Sequence, residues 1–106
     1  MVPMSFDFTA QLYFYHGDKV SWVFATLPDD IADGVRFFAS EDGVKRRGFG
    51  SVKVSVRVGD ISWLTSVFPD KESGSYLLPI KASVRKAEGI DVGDDVAFSL
   101  SLVDIF

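Results

Sequence analysis

Apolar and polar residues alternate along much of the chain, and a period of two predicts β-strands. The first such stretch covers residues 6–15, and the clearest covers residues 51–58, where valine occupies every second position. Residues 20–27 are almost continuously apolar, which is typical of a strand that is covered on both faces. We predict six strands in all, and the other three cover residues 61–68, 76–80 and 96–103.

Two further segments carry the signals of short helices. Asp29 or Asp30 can cap a helix that runs through Ala39, because a carboxylate accepts hydrogen bonds from the free N–H groups of the first helical turn. Residues 81–88 can form two helical turns, which Gly89 ends as a left-handed C-terminal cap. Both helices are therefore short connections between strands.

The order of these elements predicts a mainly β fold. Six short strands joined by hairpins, together with two short helices, are typical of a small closed or partly open six-stranded β-barrel. A barrel also protects edge strands that are as apolar as these. A sandwich of two sheets is the alternative.

Composition narrows the class of protein. The chain has 106 residues, of which 47% are hydrophobic and 25% charged, and we expect one globular domain over residues 1–106. There is no cysteine, which excludes disulfides and cysteine-based metal sites. The N-terminus lacks the pattern of a signal peptide, and no apolar run is long enough for a membrane helix. We therefore expect a cytoplasmic protein that makes no membrane contact.

The charges are distributed unevenly. The net charge is −4, yet basic residues dominate two segments. An acidic chain argues against nucleic acid as a partner, whereas a local basic patch keeps that partner open. The plainer interpretation is that these are solvated surface charges. The two basic clusters contain Lys45, Arg46, Arg47, Lys53 and Arg57, and Lys81, Arg85 and Lys86.

Both clusters are candidate ligand-binding sites. Arg46, Arg47 and Phe49 lie in a glycine-rich segment, where backbone N–H groups can approach an anion, arginine can hold phosphate or carboxylate, and phenylalanine can stack on an aromatic ligand. Lys81 and Arg85 are four residues apart and share one helical face. We expect the two clusters to lie near one another at one end of the barrel. The structural alternatives are a loop whose Phe49 plugs the barrel end, and a helix end that is merely capped and solvated.

Candidate catalytic and metal-binding residues are few. His16 is the only histidine and falls in a predicted turn, so neither a transition-metal site nor a catalytic triad is indicated. Asp91, Asp94 and Asp95 surround Gly93 without the spacing of a calcium loop. We interpret them as a turn whose aspartates bond to local N–H groups. We predict no catalytic residue, no metal site and no cofactor.

The order of several short motifs resembles a known family. They are RGFGS at residues 47–51, TSVFP at 65–69, GSYLLPIK at 74–81, VRK at 84–86, Gly89 and the Gly-Asp pair at 93–94, preceded by residues 8–10, Trp22 and residues 27–28. With this spacing, nearly the whole chain is similar to the bacterial domain-of-unknown-function family nineteen-oh-five. The resemblance implies a small β-barrel, and it supplies no activity or catalytic residue to carry over.

Three classes of function stay open. The favoured one is a non-enzymatic binding module that holds an anionic small molecule or a protein segment through Arg46, Arg47, Phe49, Lys81 and Arg85. The second is a nucleic-acid-binding or transcriptional-regulatory barrel, whose affinity would fall steeply with salt. The third is an enzyme of unknown class, which needs converging titratable groups that the sequence does not provide. The oligomeric state is open as well.

Overall fold

A computed structural model describes residues 5–17, 21–41 and 50–103. These residues form seven strands and two helices, which confirms the predicted mainly β class with two helices. In chain order the elements are β1 (Ser5–Gln11), β2 (Tyr13–His16), β3 (Ser21–Thr26), α1 (Asp29–Glu41), β4 (Val52–Val58), β5 (Ile61–Asp70), β6 (Ser75–Pro79), α2 (Ala82–Glu88) and β7 (Asp95–Leu102).

The strands form one antiparallel sheet in the order β1-β7-β4-β5-β6-β3-β2. The sheet curls into an open half-barrel with β1 and β2 at its two ends. These end strands follow one another in the chain and are separated by Leu12 alone. The two ends of the sheet are therefore joined covalently at one residue.

The predicted six-stranded barrel, closed or partly open, is wrong in strand number, and its closed form is wrong because the seven-stranded sheet is open. The alternation over residues 6–15 predicts one strand, but the structure has two, because the hydrogen-bonding partner changes at Leu12. The Leu12 N–H donates to the Asp94 carbonyl oxygen at 3.0 Å, and its own carbonyl accepts from the Gly93 N–H at 2.8 Å. These bonds end the pairing of β1 with β7, and the next four residues pair with β3.

Most of the other predicted elements are present with shifted ends. The hairpin β4–β5 pairs Val58 with Ile61 at its turn, as the alternation predicts. Strand β5 continues through Pro69, where the sequence predicts a loop, and Pro69 pairs with Tyr76 of β6. Proline is tolerated there because the pairing of β5 with β4 has already ended at Val67.

The helices also follow the sequence closely. Two aspartates begin α1, where carboxylates favour the positive end of the helix dipole. Gly89 ends α2 in the left-handed conformation, with φ of 65°. Among the described residues no helix is long and apolar enough to cross a membrane.

One hydrophobic core fills the inner side of the half-barrel. Helix α1 contributes Ile31 and Val35 to it. The helix also approaches β1 closely, since the position that a Cβ would take on Gly34 lies 2.7 Å from the Phe6 ring. The largest fully buried side chains of the core are Phe98, Leu12, Leu27, Leu78, Ile80 and Leu100.

Candidate binding surface

Only part of the first basic cluster lies in the described residues, where Lys53 and Arg57 are exposed on β4. Arg46, Arg47 and Phe49 fall within residues 42–49, outside the described part of the chain, so their binding role stays a prediction. Gly50 is the first described residue after them, and a Cβ on it would lie 3.7 Å from the ring of Pro69, which pairs at the start of β6.

The second cluster follows the opposite end of β6. Lys81 is exposed and is the N-cap residue just before α2, and its carbonyl accepts hydrogen bonds from the N–H groups of Val84 and Arg85. A five-residue strand spans roughly 16 Å, and that length separates Lys81 from the strand end beside Gly50. Whether the two clusters share one surface depends on residues 42–49 and stays a prediction.

Arg85 has structural contacts of its own. Its Nε donates to the carbonyl of Ile80 at 3.3 Å, and its Nη1 lies 3.9 Å from a carboxylate oxygen of Asp91. The hydrogen bond holds α2 against the end of β6, and the guanidinium also lies near the turn before β7.

The aspartate cluster behaves as the turn that the sequence predicts. The N–H of Asp91 donates to a carboxylate oxygen of Asp94 at 2.8 Å, and the N–H of Val92 donates to the Asp91 carboxylate at 2.7 Å. Within the described ranges no group of three or more His, Cys, Asp or Glu side chains is placed to hold a metal ion.

His16 lies in a strand rather than in the predicted turn. It is the last residue of β2 and is exposed. Its ring stacks beside Phe14, with centroids 5.6 Å apart, and its Nδ1 lies 3.4 Å from the Ser21 hydroxyl across the hairpin. These contacts extend an aromatic cluster and do not assemble a catalytic or metal site.

An open depression of about 510 Å³ crosses the outer side of β1, β7 and β4. Asp7 and Arg57 stand on its two sides, and the register places Ser99 between them. The Ser99 hydroxyl donates to the Asp7 carboxylate at 2.8 Å. The depression is shallow and its charges are exposed, which makes it a weak candidate for holding a small molecule.

A more substantial surface lies on the outer side of β2 and β3. Tyr13 stands opposite Phe24, and Tyr15 stands opposite Trp22, so all four rings share one side of the sheet. We call these four residues the aromatic face. The rings of Trp22 and Phe24 lie nearly parallel, at 9°, with centroids 5.9 Å apart. Tyr15 is 50% exposed and Trp22 46%.

The apolar surface continues beyond the aromatic face. Pro79 pairs opposite Phe24, and Leu77 pairs opposite both Thr26 and Phe68. The outer side of the other half of the sheet is mostly polar, with Leu64 as an exposed exception. Its serines are Ser5, Ser55, Ser62, Ser66, Ser99 and Ser101.

Strand β2 adds a second exposed feature. It pairs with β3 on one side, and no described residue pairs with its other edge. Phe14 points to the inner side, opposite the buried Val23, yet it is 53% exposed. Strand β2 therefore presents exposed aromatic rings on both of its faces beside an open hydrogen-bonding edge.

Sequence reasoning missed the aromatic face for a clear reason. In residues 13–15 an aromatic ring occupies every position, so the alternation does not reveal which side is exposed. The signal that points to the aromatic face is the number of aromatic residues in two predicted neighbouring strands. There are more of them than the inner side of the sheet can bury.

The fold and its surface define a small, mainly β protein with a half-barrel sheet and two helices. The sequence model of the family described as Domain of unknown function (DUF1905) matches residues 8–100. The chain belongs to this family, which confirms the resemblance seen in its motifs. No curated protein matches the chain.

Proposed function

We propose that this protein is a non-enzymatic binding module that holds a segment of a partner protein on its aromatic face. The observation that supports this most directly is the pair Trp22 and Phe24, whose stacked rings remain accessible beside the half-exposed Tyr15. Exposed aromatic rings forgo the stabilisation that burial would give, about 25 cal/mol for each Å² of apolar surface. Contiguous exposed apolar patches typically mark interaction sites.

The composition of the face favours a protein partner. Tyrosine, tryptophan and phenylalanine are enriched at the centres of protein interfaces, because they offer large rigid surfaces with few rotatable bonds. None of the four residues is charged, and neither are Leu77 and Pro79, which extend the surface.

Contacts within the protein already order the rings of the aromatic face before a partner binds. The Tyr13 hydroxyl lies 2.9 Å from the Thr26 hydroxyl, a hydrogen bond that fixes the ring. Phe24 packs against both tyrosines, with ring centroids 6.3 Å and 5.9 Å away. Side chains that are already ordered lose little conformational freedom on binding, which favours affinity.

A selection of peptides tests this proposal. Random dodecapeptides displayed on phage are selected for binding to the wild-type chain. Calorimetry then measures the affinity of the selected peptides for the wild type, Trp22→Ala and Tyr15→Ala. We expect Trp22→Ala to weaken binding about thirtyfold, the effect of losing ~2 kcal/mol at an interface hot spot.

Leu64→Ala is the matched control, because Leu64 is 70% exposed on the outer side of β5 and lies outside the face. It should change affinity by less than about twofold. Peptides that bind both face variants as tightly as the wild type would contradict the proposal.

A mixed-sequence single-stranded oligonucleotide is titrated in parallel at low salt. Binding of the oligonucleotide that Trp22→Ala abolishes would assign the aromatic face to nucleic acid instead.

Anion binding by Arg46, Arg47, Phe49, Lys81 and Arg85 is a second candidate function. It is supported by the positive charge of the four basic side chains and by the exposure of Lys81. Amide chemical shifts of the isotope-labelled chain, followed during titration with inorganic phosphate, provide the test. Shifts in both clusters would support one shared site, and shifts in neither would contradict it.

A further inference from the structure

We propose that two copies of this chain pair through their β2 strands and so extend the sheet across a two-fold axis. This goes beyond the proposed function, because it concerns the edge of β2 and needs no other partner. The contact is antiparallel and isologous, meaning that each copy contributes the same residues.

The chemistry of the β2 edge supports pairing. An edge strand presents unpaired N–H and C=O groups, and proteins usually protect such edges with lysine, proline, a bulge or a covering element. Strand β2 reads Tyr-Phe-Tyr-His and contains neither lysine nor proline. The opposite end strand, β1, differs: it carries the charged Asp7, and its Phe6 contacts α1 at Gly34.

The exposed rings on β2 define what fits beside it. An added strand places alternate side chains next to Tyr13 and Tyr15 on the outer side and next to Phe14 on the inner side. The occupant must therefore be uncharged and apolar on both sides. The aromatic residues 13–15 of β2 meet this requirement, so this part of the edge is complementary to a second copy of itself.

Symmetry limits the register of the pairing. A two-fold axis perpendicular to the sheet places the outer sides of both copies on the same side of the extended sheet. Two residues that stand opposite one another across the contact are therefore both on the outer side or both on the inner side. With Phe14 on the axis, Phe14 faces its own counterpart and Tyr13 faces the Tyr15 counterpart. This register buries the most exposed ring of the strand and forms aromatic cross-strand pairs, which are favourable.

The available area predicts a weak dimer. Phe14 and Tyr15 are about half exposed, and a buried aromatic side chain covers 150–250 Å², so together they offer roughly 200 Å² for each copy. Stable interfaces bury about 800 Å² on each partner. We therefore expect a dissociation constant on the order of 0.1 mM and rapid exchange. Each copy also carries a net charge of −4, so added salt should strengthen the dimer by screening repulsion.

Cysteine cross-linking tests the register, because the chain contains no cysteine of its own. Opposed residues in antiparallel strands have Cα atoms about 4.5–5.5 Å apart, within the range that a disulfide spans. We expect Phe14→Cys to form a linked dimer under mild oxidation at least tenfold faster than the exposed control Leu64→Cys. Equal rates for the two variants would show random collision and would overturn the proposal.

Sedimentation equilibrium of the unmodified chain tests the association itself. We expect the average mass to rise with concentration up to about 1 mM, and more steeply at higher salt. Phe14→Lys should remain monomeric, because lysine on an edge opposes pairing, whereas Leu64→Lys should associate like the wild type. A wild-type chain that stays monomeric over the whole range, or a Phe14→Lys variant that associates normally, would overturn the proposal.

Discussion

The hydroxyl of Ser75 donates a hydrogen bond of 2.8 Å to the carbonyl oxygen of Leu27. Ser75 is the one buried polar residue in the described part of the chain. The bond fastens the start of β6 to the segment between β3 and α1, where the Leu27 N–H also donates to the carbonyl of Tyr76. This connection holds α1 against the sheet beside the end of the aromatic face.

Removing that hydroxyl should destabilise the fold. Ser75→Ala leaves a buried carbonyl without this donor, and we expect the free energy of unfolding to fall by about 1–2 kcal/mol. Urea denaturation measures the change. Ser66→Ala, on the outer side of β5, is the control and should cost less than about 0.5 kcal/mol. Equal losses for the two variants would contradict a special role for Ser75.

The contact between α1 and β1 makes a second prediction. Gly34→Ala should stabilise α1 by about 1 kcal/mol, because alanine has a higher helix propensity than glycine. However, the new Cβ would collide with the Phe6 ring. We expect a net destabilisation of about 1–2 kcal/mol, as is typical of overpacking. The control is a double-mutant cycle with Phe6→Ala, in whose background Gly34→Ala should be neutral or stabilising. Thermal unfolding is measured for the wild type, the two single variants and the double variant. Additive effects would show that the collision is relieved without cost.

The contacts of Arg85 separate structural from binding roles in the second basic cluster. Arg85→Ala removes the bond to the Ile80 carbonyl and should lower the free energy of unfolding by about 1 kcal/mol. The pair with Asp91 adds little, because that carboxylate is mostly exposed. Lys81→Ala should change stability by less than about 0.5 kcal/mol. Chemical denaturation distinguishes the variants, and the reverse order would contradict the contacts described for Arg85.

The exposure of the aromatic face can be measured with fluorescence. The chain contains two tryptophans, and Trp63 packs against the core whereas Trp22 is exposed. Acrylamide should therefore quench the Trp63→Phe variant, which retains Trp22, more strongly than the Trp22→Phe variant. Similar quenching constants for the two variants would show that Trp22 is shielded in solution.

Sequence reasoning recovered the local structure well, because its signals are local. Alternation identified the hairpin that ends at Val58 and Ile61, and Gly89 ends α2 as its lack of a side chain predicts. The aspartates at 91 and 94 bond to nearby N–H groups as turn residues do. Each of these features depends on neighbours within a few residues.

The sequence could not show where a strand changes partner. Alternation continues from β1 through Leu12 into β2, and only the distant Gly93 and Asp94 end the first pairing. The basic cluster around Arg85 suggested a ligand, and that role stays a prediction beside the contacts of the guanidinium with Ile80 and Asp91. Contacts between residues far apart in the chain decide where β1 ends.

The pairing of the first described strand with the last has a consequence for how the chain folds. Asp7 and Ser99 are 92 residues apart in sequence and bond across β1 and β7. The sheet therefore cannot be completed during synthesis until residues 95–102 have been made. Until then β1 has no strand to pair with, and this exposed segment is vulnerable to aggregation. Closing so long a loop also slows folding relative to a helical protein of similar length.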